Sequence, residues 1–197
     1  MKEKFVIKEK NRNSKYLWYV GYGSNLFRER FICYISGGQF QLGGKHARGC
    51  RDKTLPKENK PFIITHSLFF ARNAPSWGNG GVAFISPERD ESNHTYGKMW
   101  KITREQFSDI WEQEGQRWYD KELNLGQDND GIPIVTITSS DKLESNTPSD
   151  KYLKTMAMGL EETCHMDKKT ISKYLIEKPG IKGSLTEERL LEIIDSD

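Results

Sequence analysis

The sequence predicts an α+β protein, with a mixed, barrel-like sheet of five or six strands and helices around it. Aromatic, β-favouring segments fill the first two thirds of the chain, and helical patterns fill the last third. No regular alternation of strand and helix runs between them, which argues against a doubly wound sheet.

Residues 1–15 are rich in Lys, Asn and Glu and read as a flexible lead-in, leaving 16–197 as one domain. Tyr16-Leu17-Trp18-Tyr19-Val20-Gly21 lacks helical periodicity and reads as a buried strand. A Gly-Ser-Asn turn then opens a helix over 26–35, stopped by Ser36-Gly37-Gly38. A basic, glycine-bearing stretch follows to about Pro61, with a short strand inside it. Residues 62–71 read as one strand and 73–80 as a loop. Composition leaves open whether 73–81 is a lid or a surface turn. Residues 81–85 and 96–102 read as paired strands across the polar connection 87–93. Thr103 and Gln106 form a capping box that starts a helix over 103–114, and Gly115 stands just past its end. A strand over 132–138 precedes three helices over 149–164, 167–176 and 186–194, with Pro179-Gly180 and Gly183 in the last connection.

Composition narrows the function. The net charge of +2 comes from 30 basic and 28 acidic residues, a balance that does not suit a nucleic-acid partner. No apolar run matches a signal peptide or a membrane span, so the expected location is the cytoplasm. Cys33, Cys50 and Cys164 lie far apart without a CxxC spacing, and His46, His66, His94 and His165 show no ligand spacing. Neither a disulfide framework, a metal site nor a cofactor is expected. The five tryptophans read as core or pocket wall.

Two places carry chemistry. Tyr22-Gly23-Ser24-Asn25-Leu26 follows a strand and opens a helix, so backbone N–H groups there lack helical partners and suit an anion such as a carboxylate. Gly23 admits a ligand close to the backbone, and Ser24 or Asn25 is placed to cap the helix. The second place is Glu114. Phe107, Ile110 and Trp111 stand at i, i+3 and i+4, and Glu114 is the i+7 member of that apolar stripe. Desolvation and the negative helix end both disfavour its charged form, which suits a general acid–base group. Glu112 falls off the stripe and reads as a solvated charge.

These features, in this order, resemble the γ-glutamylcyclotransferase family of the bacterial type. Tyr22-Gly23-Ser24-Asn25 matches its YGSN turn, and Glu112-Gln113-Glu114-Gly115 matches its EQEG step. Pro148-Ser149-Asp150-Lys151-Tyr152 is similar to its PSxxY segment, and Gly159 stands in a similar MG step. The resemblance runs from about 16 to 175. It implies a metal-independent enzyme that releases 5-oxoproline from a γ-glutamyl amine or amino acid, by attack of the substrate's own α-amine. Glu114 is then the proton-transfer residue, and Gly21, Tyr22, Gly23, Ser24, Asn25, Tyr119 and Tyr152 bind substrate. One departure concerns the tyrosine that the family carries seven residues beyond the glutamate. Here Trp118 and Tyr119 come four and five residues on. The alternatives are γ-glutamyl transfer to another amine without cyclisation, and a non-catalytic module that binds small acidic metabolites. The leaving amine and the oligomeric state are not legible in the sequence.

Overall fold

The computed structural model describes residues 14–196, so most of the expected lead-in lies outside the described residues. The strand β1 (Tyr16–Gly21) is buried for all but its first residue and lies at the centre of a five-stranded sheet. In spatial order the sheet runs β2 (Asn59–Ile64), β5 (Thr95–Thr103), β1, β7 (Pro133–Thr138) and β6 (Lys121–Gln127). β5 pairs antiparallel with β1, placing Trp100 opposite Tyr19, whereas β7 pairs parallel with it. The sheet is mixed, as expected. A second sheet holds only β3 (Leu68–Ala74) and β4 (Gly80–Ile85), so the barrel does not close.

Side chains on successive strand residues point to opposite faces, and β1 uses both. Trp18 and Val20 enter one apolar cluster with Phe70, Phe84, Leu153 and Leu160, while Leu17 and Tyr19 enter another with Phe31, Trp100 and Ile110. The first cluster is covered by the β3–β4 hairpin and by α3 (Asp150–Cys164), α4 (Lys168–Ile176) and α5 (Glu187–Asp195). The second is covered by α1 (Arg28–Ser36) and α2 (Arg104–Glu114). Phe31 stacks on Trp100 with ring centroids 4.4 Å apart. Burying such a ring stabilises the fold by about 2–3 kcal/mol. Among the described residues, no helix is long and apolar enough to cross a membrane.

Three expectations about strands need correction. Residues 62–71 are two strands in different sheets, because the chain turns at 65–67. His66 fixes that turn: it is buried, its Nδ1 lies 2.8 Å from the Ser86 carbonyl, and its own carbonyl accepts from Thr95 Oγ1 at 2.6 Å. β4 pairs with β3 and not with β5, since the 87–93 connection carries the chain from the hairpin to the main sheet. β6 is a strand where none is expected. It is an edge strand in which Leu123 is the one buried side chain, so its apolar alternation is faint.

Candidate active site

The turn after β1 differs from the expected strand–helix joint. Ser24–Leu26 is a short 3-10 turn in which the Leu26 amide donates to the Gly23 carbonyl at 3.0 Å. Phe27 is extended, and α1 begins only at Arg28, so neither Ser24 nor Asn25 caps it. The Asn25 side chain is thereby free to reach α2, where its Nδ2 donates to Glu114 Oε1 at 2.6 Å. Two glycines make this turn possible. A Cβ at Gly23 would fall 2.6 Å from the Tyr152 hydroxyl, and one at Gly159 on α3 would fall 2.4 Å from Leu26 Cβ. The MG step therefore lets α3 press against the turn. Gly21 acts likewise, since its Cβ would meet Asn25 Cβ at 2.8 Å; it packs behind the site and does not line it.

α2 follows its sequence signals closely. Thr103 Oγ1 accepts from the Gln106 amide at 3.1 Å, Gln106 Oε1 accepts from the Thr103 amide at 3.0 Å, and Gly115 closes the helix. Phe107 and Ile110 are buried, and Glu114, the last helical residue, is half-buried at the end of their stripe. Glu112 points to solvent and pairs with Arg48 at 2.6 Å. No ion pair involves Glu114 among the described residues. Its carboxylate instead borders two adjoining cavities. The smaller, about 30 Å³, is walled by Tyr19, Tyr22, Gly23, Ser24 and Asn25. The larger, about 320 Å³, extends past Trp77, Val82, Trp118 and Lys45. Ser24, Glu114, Tyr119 and Tyr152 belong to both.

The tyrosines divide by where their protons go. Tyr22 donates to the Ile137 carbonyl at 2.8 Å, and Tyr119 to the Ala83 carbonyl at 3.0 Å. Tyr119 is fixed further by stacking on Phe84, at 4.7 Å between centroids, and by Trp111 Nε1, which donates to its carbonyl. Both are rigid walls. Tyr152 has the opposite arrangement: its oxygen accepts from the Ala83 amide at 3.0 Å. With the amide as donor in that bond, the phenol's own proton is left to be donated elsewhere. Burial pushes the phenol up to about 12, so that proton is retained at neutral pH.

Sequence reasoning missed two members of the site, Arg30 and Tyr34. They lie one helical turn apart on α1, are both buried, and line the larger cavity. Arg30 Nη2 donates to the Tyr34 hydroxyl at 2.7 Å, and Glu114 borders the same cavity, near enough for its charge, after burial, to raise the phenol. Arg30 Nε and Nη1 have no partner among the described residues. The signal was present: Phe27, Arg30, Phe31 and Tyr34 follow one another at i, i+3, i+4 and i+7, the spacing that singled out Glu114. Trp77, in the expected 73–80 loop, is buried in a short 3-10 turn and forms cavity wall. Among the described residues, no group of three or more His, Cys, Asp or Glu is placed to hold a metal ion.

Comparison with known proteins bears on the fold. No family model matches the chain. A solved structure named gamma-glutamyl cyclotransferase superposes with a TM-score of 0.58 at 23% identity, covering 91% of this chain and 98% of that one. An uncharacterised human protein gives 0.59 at 22% identity, covering 93% and 100%. YkqA from Bacillus subtilis gives 0.53 at 15% identity, covering 84% of this chain and 56% of that one. In sequence, the chain is 31% identical over 206 residues to histone deacetylase 5 of Arabidopsis thaliana, a match that takes in 83% of this chain but spans only 31% of that protein. The fold is that of the γ-glutamyl cyclotransferases.

Proposed function

We propose that the cavity cyclises γ-glutamyl compounds, releasing 5-oxoproline and a free amine, with Glu114 moving the proton. The observation that carries this reading is the placement of one carboxylate, without an ion-pair partner among the described residues, beside the Tyr-Gly-Ser-Asn turn. It stands at the junction of a small polar cavity and a larger apolar one. The larger space has room for the substrate chain, and the smaller one, about the size of a single water, receives a polar group of its glutamyl end.

A γ-glutamyl group carries its own nucleophile, so the protein has to fold the chain for attack and not supply a serine or cysteine. Orientation of that kind can remove about 7–11 kcal/mol of the barrier. The bond from the α-nitrogen to the γ-carbon forms, and the bond from the γ-carbon to the departing nitrogen breaks. The α-nitrogen gives up two protons between ammonium and lactam, and the departing nitrogen takes up two to leave as an ammonium; Glu114 relays them one at a time, so the protons balance without water. The turn around Gly23 and Ser24, with the free proton of Tyr152, supports oxygen at the substrate's α-carboxylate or at the developing oxyanion. Tyr22 and Tyr119 shape the walls, and Trp77 and Trp118 face the departing amine. The conditions for this chemistry are those of a cytoplasmic enzyme acting on a small-molecule substrate.

Incubation with a panel of γ-glutamyl amines and γ-glutamyl amino acids, with products identified by mass spectrometry, tests the reading. One 5-oxoproline per amine released is expected. A γ-glutamyl group found on a second amine would favour transfer, and binding without turnover across the panel would favour a binding module.

A further inference from the structure

We propose that Tyr34, held by the buried guanidinium of Arg30, is a positioning residue for Glu114, steering its hydroxyl proton onto the carboxylate and keeping that carboxylate aimed into the cavity in its proton-accepting form. This role rests on the reading of Glu114 as the proton-transfer group.

Three observations lead to it. First, Arg30 is 2% exposed and pairs with no carboxylate among the described residues, an arrangement that costs several kcal/mol unless it serves something. Its one hydrogen-bond partner among those residues is the Tyr34 oxygen. Second, the protein makes room for this guanidinium: a Cβ at Gly44 would lie 3.2 Å from Arg30 Cζ, and the Tyr34 ring centroid lies 4.3 Å from it. Third, a phenol oxygen that accepts from a guanidinium cannot turn its own proton toward it, and Glu114 is the carboxylate that lines the same cavity. Burial, and then the Glu114 charge, push Tyr34 well above the ordinary phenol range, so it stays a donor at neutral pH.

The other groups facing Glu114 do not compete. Tyr19 on β1, Tyr22 on the turn, Tyr119 beyond α2 and Tyr152 on α3 are buried phenols, each raised above its ordinary value by burial first and so uncharged. Lys45 borders the larger cavity from an exposed loop, its Nζ 3.9 Å from where a Cβ at Gly115 would stand. Asn25 donates to the carboxylate at 2.6 Å, Tyr34 is the phenol left to aim its proton at it across the shared cavity, and Arg30 is the buried cation behind them.

The test is Tyr34→Phe, read by the pH profile of kcat/KM for 5-oxoproline release. Removing a donor from the ionised form makes protonation easier. The acid limb is expected to move to higher pH by about one unit, a roughly tenfold loss on that limb, with KM nearly unchanged. Arg30→Met combined with Tyr34→Phe is the companion variant. It removes the buried cation together with its partner, keeps the core filled, and should move the limb in the same direction. A second readout does not need turnover: the 13C titration of the Glu114 carboxyl, assigned with Glu114→Gln, should move upward in both variants. An unmoved titration in both, or a rise in KM with an unmoved profile, overturns the proposal. If wild-type protein forms no lactam while the titration still moves, cyclisation is wrong and the positioning role stands. If lactam forms and the titration stays still, the positioning role alone is wrong.

Discussion

Two acids on α2, one turn and a residue apart, meet opposite fates. Asp109 is 1% exposed and closed off by Arg51, whose backbone amide and side chain bond its carboxylate at 2.8 Å and 3.0 Å. Burial alone would push this carboxyl up, yet the hydrogen bonds and charge of Arg51 outweigh it and hold the group below the ordinary carboxylate range. Glu114 has no such cation in contact among the described residues. It takes a neutral donor from Asn25, shares the larger cavity with the Tyr34 phenol, and borders open space on two sides. A carboxylate saturated by a guanidinium fixes structure, whereas one held by a neutral donor at a cavity wall can still exchange a proton. The difference lies in the partner, not in the helix.

The contrast can be broken at either end. Glu114→Gln keeps the shape and removes the proton acceptor, so 5-oxoproline release should fall by about 10²–10⁴-fold with an unchanged circular dichroism spectrum. Tyr152→Phe removes the free proton and strips the Ala83 amide of its acceptor. It should lower kcat/KM by about 10–100-fold in steady-state assays and lower stability by about 1–3 kcal/mol in urea titration. Gly23→Ala brings a methyl within 2.6 Å of the Tyr152 hydroxyl and should give a smaller loss of activity from the same displaced group, visible as a shifted Tyr152 resonance.

Asp109→Asn should leave turnover within about twofold and affect stability alone. The loss should be about 1–2 kcal/mol, since Arg51 is largely exposed and its pairing is screened. The sign of the pH dependence comes from the depressed value. Stability from Asp109 is present above the unfolded value near about pH 4 and is lost as pH falls through the folded value. Thermal melts from pH 7 down to 2 should therefore converge for wild type and Asp109→Asn at the acid end.

The legibility of the sequence obeys the same physics. α2 is readable to its caps because Thr103, Gln106 and Gly115 act locally, and β1 because both its faces are buried. The pairing of β4 is not, because strand partners are chosen by distant packing, here Phe69 on Phe84 at 5.9 Å and Phe84 on Tyr119. The turn is recognisable as a motif, but its local shape is not. Extended Phe27 separates the 3-10 turn from α1, a break forced by the close approach of α3 at Gly159. Arg30 escapes notice because a lone arginine on a helix is ordinarily a solvated charge, which outweighs its place in the apolar stripe until the loop at Gly44 is seen to close over it.

The most direct measurement is the reaction run in 18O-labelled water with a γ-glutamyl amino acid. Intramolecular attack predicts unlabelled 5-oxoproline, equal in amount to the amine released by wild-type protein and by Asp109→Asn, and formed far more slowly with Glu114→Gln. Glutamate carrying 18O in its γ-carboxyl would mean that water is the nucleophile, and it would contradict the account.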